Sequence, residues 1–128
     1  MVDRKKILVT GMSGLVGGIV GRHLDSIGYE VRALNRNPVQ GFDTVQADIT
    51  DPAAIRPAFT GIHTVVHLAA YLGNEDSSQI NININGTYNV FEAAKEAKVK
   101  RVIFGSSGAV MMAAEKHEPF KTMVEARI

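Results

Sequence analysis

The chain of 128 residues contains no cysteine. It therefore has no disulfide framework, no thiolate ligand for a metal ion and no thiol nucleophile. It also lacks an excess of charge of one sign, because 14 basic and 13 acidic residues give a formal net charge of +1. This balance indicates neither a nucleic acid nor a membrane surface as partner.

Long apolar runs are absent as well. The amino-terminal stretch MVDRKKILVTG has three consecutive apolar residues before Thr10 and Gly11, too few for a signal sequence or a membrane-spanning helix. We therefore expect a cytoplasmic, soluble protein. Its 45% hydrophobic and 21% charged residues are typical of a single globular domain. We expect no metal site, since the histidines have no carboxylate or second histidine at ligand spacing (His23, His63, His67, His117).

The sequence does contain short β-branched runs that alternate with longer helical patterns. Predicted strands are Lys6–Thr10, Glu30–Leu34, Thr44–Ala47, Thr64–Leu68 and Arg101–Phe104. Predicted helices are Leu15–Ile27, a helix that starts at Asp51 and Pro52, and Ser78–Ala97. The stretch INININ (80–85) taken alone alternates like a strand, but helical spacing continues through it. This order predicts an α/β fold with a parallel sheet of about five strands and helices on both faces.

A glycine-rich turn is the strongest functional signal. The stretch TGMSGLVGG (10–18) follows the first strand directly and opens the first helix. Gly11 would allow a tight turn, Gly14 a close backbone approach to a diphosphate, and Gly17 close packing of helix on strand. Packing alone is the alternative, and we assign Gly18 and Gly21 to it. Ser13, Leu15 and Val16 complete the predicted dinucleotide-binding turn.

The Gly-x-x-Gly-x-x-Gly spacing resembles the extended short-chain dehydrogenase/reductases, the NAD-dependent epimerase/dehydratase family. Four later stretches resemble the same family in the same order: ADITD (47–51), VVHLAA (65–70), NINGTYNVFEAA (83–94) and VKRVIFGSSGAV (99–110). The resemblance implies a Rossmann-type NAD(P)-binding domain over residues 1–110. Residues 111–128 would then be a tail that leads into a missing substrate and catalytic region, so that the fold is truncated at its carboxyl end.

The resemblance also implies which residues contact the cofactor. Asp48, with Ile49 beside it, would bind the adenine, and Leu68, Ala69 and Ala70 would line the cofactor. Asn83 matches an asparagine that relatives place near it. Asn35 stands where NAD-dependent relatives carry an acid, and Arg36 can bind a 2′-phosphate bidentately. We therefore expect NADP as the cofactor, with NAD possible.

A catalytic serine is implied by the last motif, since Ser107 would position the substrate oxygen and Ser106 would line the pocket. The family's acid/base pair, Tyr-x-x-x-Lys, is missing from the chain. Tyr29, Tyr71 and Tyr88 are followed four residues later by Ala33, Glu75 and Glu92. We expect the chain to be inactive or nearly so alone, because general acid–base catalysis contributes about 10²–10⁴-fold.

The favoured hypothesis is the cofactor-binding part of a longer epimerase, dehydratase or dehydrogenase that acts on a sugar or nucleotide sugar. The alternatives are a non-enzymatic NADP-binding regulatory module and a fragment without ligand. Ser107 favours the enzyme, because a regulator does not need a positioned hydroxyl. We also expect a homo-oligomer, formed through the edge of the fifth strand, the apolar tail or the long helix.

Overall fold

The computed structural model describes residues 4–108, which form a five-stranded parallel sheet of order β3-β2-β1-β4-β5. Its strands are β1 (Lys6–Thr10), β2 (Glu30–Asn35), β3 (Asp43–Gln46), β4 (Thr64–His67) and β5 (Arg101–Phe104). The order reverses between β1 and β4, because the chain leaves β1 toward β2 and later returns to the other side of β1. A crevice is expected at the carboxyl ends of these two strands.

The helices connect the strands in the order α1 (Leu15–Ser26), α2 (Pro52–Ile55), α3 (Asp76–Ser78) and α4 (Thr87–Glu96). A 3₁₀ turn, Arg56–Phe59, follows α2, and a π-helical segment, Gln79–Gly86, joins α3 to α4. The short α2 begins as the sequence predicts. The Asp51 carboxylate accepts hydrogen bonds from the N–H groups of Ala53 and Ala54, both at 3.1 Å.

Two apolar clusters lie on opposite faces of the sheet, because successive strand residues point to opposite sides. On one face, Leu8 and Val65 pack with Phe59 of the 3₁₀ turn and Val90 of α4. On the other face, residues of the sheet pack with the partly buried Val20 and Leu24 of α1. The predicted parallel sheet with helices on both faces is confirmed.

The predicted strands agree with the observed ones to within one residue at each end, and β1 and β5 agree at both. The predicted helix Ser78–Ala97 corresponds to α3, the π-helical segment and α4 together. The stretch INININ lies in the π-helical segment, so its alternation does not mark a strand. Helical spacing was the stronger signal because it continues into α4, whose Val90, Ala93 and Ala94 are buried. The π-helical geometry itself was not predicted. The predicted tail, 111–128, lies outside the described residues.

Candidate cofactor-binding site

The glycine turn between β1 and α1 leaves no space for side chains at two positions. Gly11 has a φ of +72°, and a Cβ atom there would lie 2.7 Å from the amide nitrogen of Ala69, which follows β4. A Cβ atom on Gly17 would collide with the carbonyl oxygen of Gly11. The Gly14 N–H donates to that same carbonyl at 3.1 Å. The turn therefore presents bare backbone at the carboxyl end of the sheet.

The first turn of α1 faces the same place. Gly14 is its N-cap and has no side chain with which to cap the helix, and no acidic residue lies in the first turn. The first N–H groups of a helix have no intrahelical acceptor, and the helix dipole adds partial positive charge there. The backbone geometry thus suits an anion such as a diphosphate. Gly21, by contrast, packs against the Met12 side chain, which agrees with a packing role.

A cleft of about 490 Å³, called here the first cavity, extends from this turn along the ends of the strands. Most of the residues predicted to bind the cofactor line it: Gly11, Ser13, Gly14, Leu15, Val16, Gly17, Asn35, Arg36, Asp48, Ile49, Leu68, Ala69 and Ala70. Tyr71 and Ile82 also line it. The volume is within the range of about 300–1,000 Å³ that is usual for ligand sites.

At the end of β2, the amide of Asn35 is held on both sides. Its Oδ1 accepts from the Ser13 hydroxyl at 3.2 Å, and its Nδ2 donates to the Asn37 carbonyl at 2.8 Å. Asn35 is only 8% exposed, so this orientation is fixed. Arg36, next in the chain, is exposed and lines the cavity. Within residues 4–108 it forms no ion pair.

After β3, one oxygen of the Asp48 carboxylate is engaged locally. Its Oδ1 accepts from the Thr50 N–H at 2.9 Å and from the Thr50 hydroxyl at 2.8 Å. The neighbouring Ile49 is anchored from α4, because the Asn89 side chain donates to the Ile49 carbonyl at 2.9 Å. These hydrogen bonds hold the loop around Asp48 and Ile49, which lines the first cavity.

A second cavity, of about 240 Å³, adjoins the first. Both are lined by Leu68, Ala69 and Ala70. The remaining predicted site residues lie here, and the full lining beyond the shared residues is Asn83, Thr87, Phe104, Gly105, Ser106 and Ser107. The structure therefore brings every predicted site residue to one edge of the sheet, in two adjoining spaces.

Asn83 has a specific structural contact that the sequence did not predict. Its Oδ1 accepts from the backbone N–H of Tyr71 at 2.7 Å, and its Nδ2 donates to the carbonyl of the same residue at 3.0 Å. Both ends of the amide thus bind the loop that follows β4. This loop lines both cavities, so Asn83 positions their shared wall.

A buried polar network joins β1, β4 and α4 beside the second cavity. Thr10 Oγ1 lies 2.7 Å from His67 Nδ1, and His67 Nε2 lies 2.9 Å from Thr87 Oγ1. The His67 ring stacks on Phe104 with the centroids 5.6 Å apart. His67 is fully buried, and this burial lowers its pKa from the usual 6.5 to about 4. The ring is therefore neutral at pH 7, in keeping with a structural histidine.

Sequence reasoning missed Thr87 although it lies in the quoted stretch NINGTYNVFEAA (83–94). The available signal was spacing: Thr87 follows Asn83 by four residues, which puts the two on one face of a helix.

Among residues 4–108 no cluster of three metal-ligating side chains occurs. In the same part of the chain, no helix has the length and apolar character needed to cross a bilayer.

The strand order, the glycine turn and the cleft at the reversal point define a dinucleotide-binding α/β protein of the Rossmann type. Comparison with known families agrees with this class. The model of the NAD dependent epimerase/dehydratase family matches residues 7–127. The chain belongs to this family.

Three relatives show how broad the family is. The chain is 36% identical over 125 residues to cinnamoyl-CoA reductase 1 of Oryza sativa subsp. japonica, covering 86% of this chain and 37% of the relative. It is 40% identical over 108 residues to L-arabinose 1-dehydrogenase (NAD(P)(+)) of Haloferax volcanii, covering 82% and 42%. A solved short-chain dehydrogenase/reductase superfamily protein from Agrobacterium tumefaciens, with bound NAD, is 34% identical with a TM-score of 0.78, covering 83% and 34%.

The chain thus spans about two fifths of the length of the curated relatives, 37% and 42% in these two cases. The structural relative carries NAD, and the arabinose dehydrogenase is named for either nicotinamide cofactor. A nicotinamide dinucleotide is therefore the cofactor class of the family members that this chain resembles.

The buried neutral ring of His67 predicts a pH dependence of stability. Its pKa is about 4 in the folded chain and about 6.5 when exposed, so between these values the unfolded chain binds more protons. Stability should therefore fall as the pH drops from 6.5 to 4, by up to about 3 kcal/mol from this group. It should not change through this group above pH 6.5.

Urea unfolding at a series of pH values measures this effect. His67→Gln, which cannot titrate, should flatten the profile between pH 6.5 and 4. His23→Gln, a change on the exposed part of α1, is the matched control. Equal slopes for His67→Gln and the wild type would contradict the prediction.

Proposed function

We propose that this chain forms the NAD(P)-binding part of an epimerase, dehydratase or dehydrogenase that acts on a sugar or nucleotide sugar. The observation that carries the proposal is the glycine turn, whose bare backbone and open helix terminus suit a diphosphate. The two cavities offer a dinucleotide adjoining spaces that share the wall Leu68–Ala70, and the glycine turn lines the first of them. The similarity to L-arabinose 1-dehydrogenase supports a sugar substrate, and the same proposal places the protein in the cytoplasm.

Each predicted residue has a role in this proposal. The turn from Gly11 to Gly17 binds the diphosphate. Asn35, Arg36, Asp48 and Ile49 surround the adenosine half. Leu68–Ala70 and Asn83 form the wall along the cofactor, and Ser106 with Ser107 lies at the substrate end. When bound, the cofactor accepts or donates hydride, and these residues hold and orient it.

No observation favours the regulatory alternative in its own right. A regulator needs only the first cavity, whereas Ser106 and Ser107 line a second one that adjoins it. The chain contains no Tyr-x-x-x-Lys, so the function that we propose for these residues is binding and orientation rather than proton transfer.

The proposal predicts that Gly17→Ala strongly weakens cofactor binding. The new Cβ would push the Gly11 carbonyl out of place and open the turn. Titration calorimetry with NAD⁺ and NADP⁺ should show at least about a tenfold loss of affinity, or 1.4 kcal/mol. Gly108→Ala is the control, since a Cβ there meets no atom of residues 4–108 within 4 Å. The proposal fails if the wild-type chain binds neither dinucleotide.

We further propose NADP as the preferred cofactor, on the basis of the exposed Arg36 at the edge of the first cavity. A charge-assisted bond to the 2′-phosphate contributes roughly 1.5 kcal/mol. Arg36→Ala should therefore weaken NADP⁺ binding about tenfold and leave NAD⁺ binding within about twofold. Arg101→Ala, at the opposite end of the sheet, should change neither affinity. Tighter binding of NAD⁺ by the wild type would reverse the assignment.

Self-association is the last part of the proposal. Within residues 4–108, β5 is an edge strand, and Ile103 and Phe104 are 49% and 50% exposed. An apolar strand edge is a template for pairing with another copy. Sedimentation should show a mass that rises with concentration, and Ile103→Lys should reduce it more than Ile27→Lys, a change just after α1. A monomer at all concentrations would rule this proposal out.

A further inference from the structure

The hydrogen bonds of the polar network beside the second cavity run in one donor-to-acceptor direction, which starts at backbone N–H groups. The hydroxyl oxygen of Thr10 accepts hydrogen bonds from the N–H groups of Leu68 and Ala69, both at 3.0 Å. A hydroxyl oxygen has two acceptor positions and one hydrogen. Both acceptor positions are occupied, so the Thr10 hydroxyl hydrogen is donated to His67 Nδ1, at 2.7 Å.

The His67 ring continues the same direction of hydrogen bonding, from Thr10 to Thr87. Because Nδ1 accepts, the single hydrogen of the neutral imidazole is on Nε2. The Nε2–H group then donates to the Thr87 hydroxyl oxygen at 2.9 Å. Thr10 and His67 thus act as positioning residues, and they fix Thr87 as an acceptor toward the ring.

The hydrogen of the Thr87 hydroxyl is left for another acceptor. A helical threonine often donates to the carbonyl four residues before it, but no such bond is formed by Thr87. Among the described residues, 4–108, the His67 ring is the one hydrogen-bond partner of this hydroxyl. Thr87 is half-buried and lines the second cavity. Its hydroxyl is therefore an oriented donor at the wall of a ligand space.

The position of the second cavity indicates which ligand atoms could accept this bond. A dinucleotide crosses the crevice at the point where strand order reverses, with one half on each side. The adenosine half falls to the side of β2 and β3, where Asn35 and Asp48 lie. The other half reaches the side of β4 and β5, where the described lining carries no charged side chain. A neutral hydroxyl donor there matches an uncharged oxygen.

We propose that Thr87 is a further cofactor-binding residue, whose hydroxyl donates a hydrogen bond to an oxygen of the nicotinamide half of the bound dinucleotide. The Thr10–His67 chain holds the Thr87 hydroxyl ready for this bond before the ligand arrives. The inference rests on the proposed function, because it needs a nicotinamide dinucleotide in the two cavities.

Calorimetry with NAD⁺, NADP⁺ and ADP tests the assignment, since ADP fills only the adenosine and diphosphate part of the site. Thr87→Val should weaken the better-bound dinucleotide about three- to tenfold, as expected for one hydrogen bond, and leave ADP affinity within twofold. Thr87→Ser keeps the hydroxyl and should restore wild-type affinity for the dinucleotide. If the valine variant does not fold, Thr87→Ala replaces it, because the smaller residue leaves room for water beside His67 Nε2.

Two outcomes overturn the inference while the proposed function stands: a dinucleotide affinity unchanged by the loss of the hydroxyl, or an equal loss for ADP. A wild-type chain that binds none of the three nucleotides would instead remove the proposed function and this inference with it. Nitrogen NMR of the His67 ring gives an independent readout in the free chain. A hydrogen on Nε2 at pH 7 is expected, and a hydrogen on Nδ1 would overturn the direction of the network.

Discussion

The whole site depends on the close approach of two backbone segments, the glycine turn after β1 and the chain that leaves β4. At Gly11 this approach leaves no room for a Cβ atom against the Ala69 backbone. From the adjacent position, the Thr10 hydroxyl binds the N–H groups of Leu68 and Ala69. One contact thus sets both the glycine turn and the wall that the two cavities share. A change at the turn should consequently alter both cavities together.

The parts of the site built from local signals could be predicted from the sequence. A glycine turn between a strand and a helix needs only neighbouring residues, so the tight turn at Gly11 and the close packing at Gly17 could be predicted. The polar network could not be predicted, because Thr10 and His67 are 57 residues apart in the chain and His67 and Thr87 are 20 apart. Each is unremarkable alone, and only the register of β1 beside β4 makes them partners. The π-helical segment was missed because the alternation of INININ fits several structures, and periodicity does not distinguish α- from π-helical geometry.

At the end of β2, the structure separates the roles of Asn35 and Arg36, which sequence reasoning had treated together. Asn35 was considered together with Arg36 as an indicator of NADP, because it replaces an acid. Its Nδ2 group, however, donates to the Asn37 carbonyl, and an aspartate there would place a carboxylate against that carbonyl oxygen. The turn itself therefore favours asparagine over aspartate, whatever the cofactor. The proposed preference for a 2′-phosphate then depends on the charge of Arg36 alone, which is why that residue is the informative one to change.

The second cavity has the chemistry of a space that orients a ligand rather than one that transfers protons. Its described lining offers hydroxyl groups from Thr87, Ser106 and Ser107 and a backbone amide wall held by Asn83. None of these side chains is an acid or base that titrates near neutral pH, which efficient general acid–base catalysis requires. The nearest titratable ring, His67, is buried behind Thr87 and has a pKa of about 4. The described lining of the second cavity therefore supplies geometry, and a group for proton transfer would have to come from outside that lining.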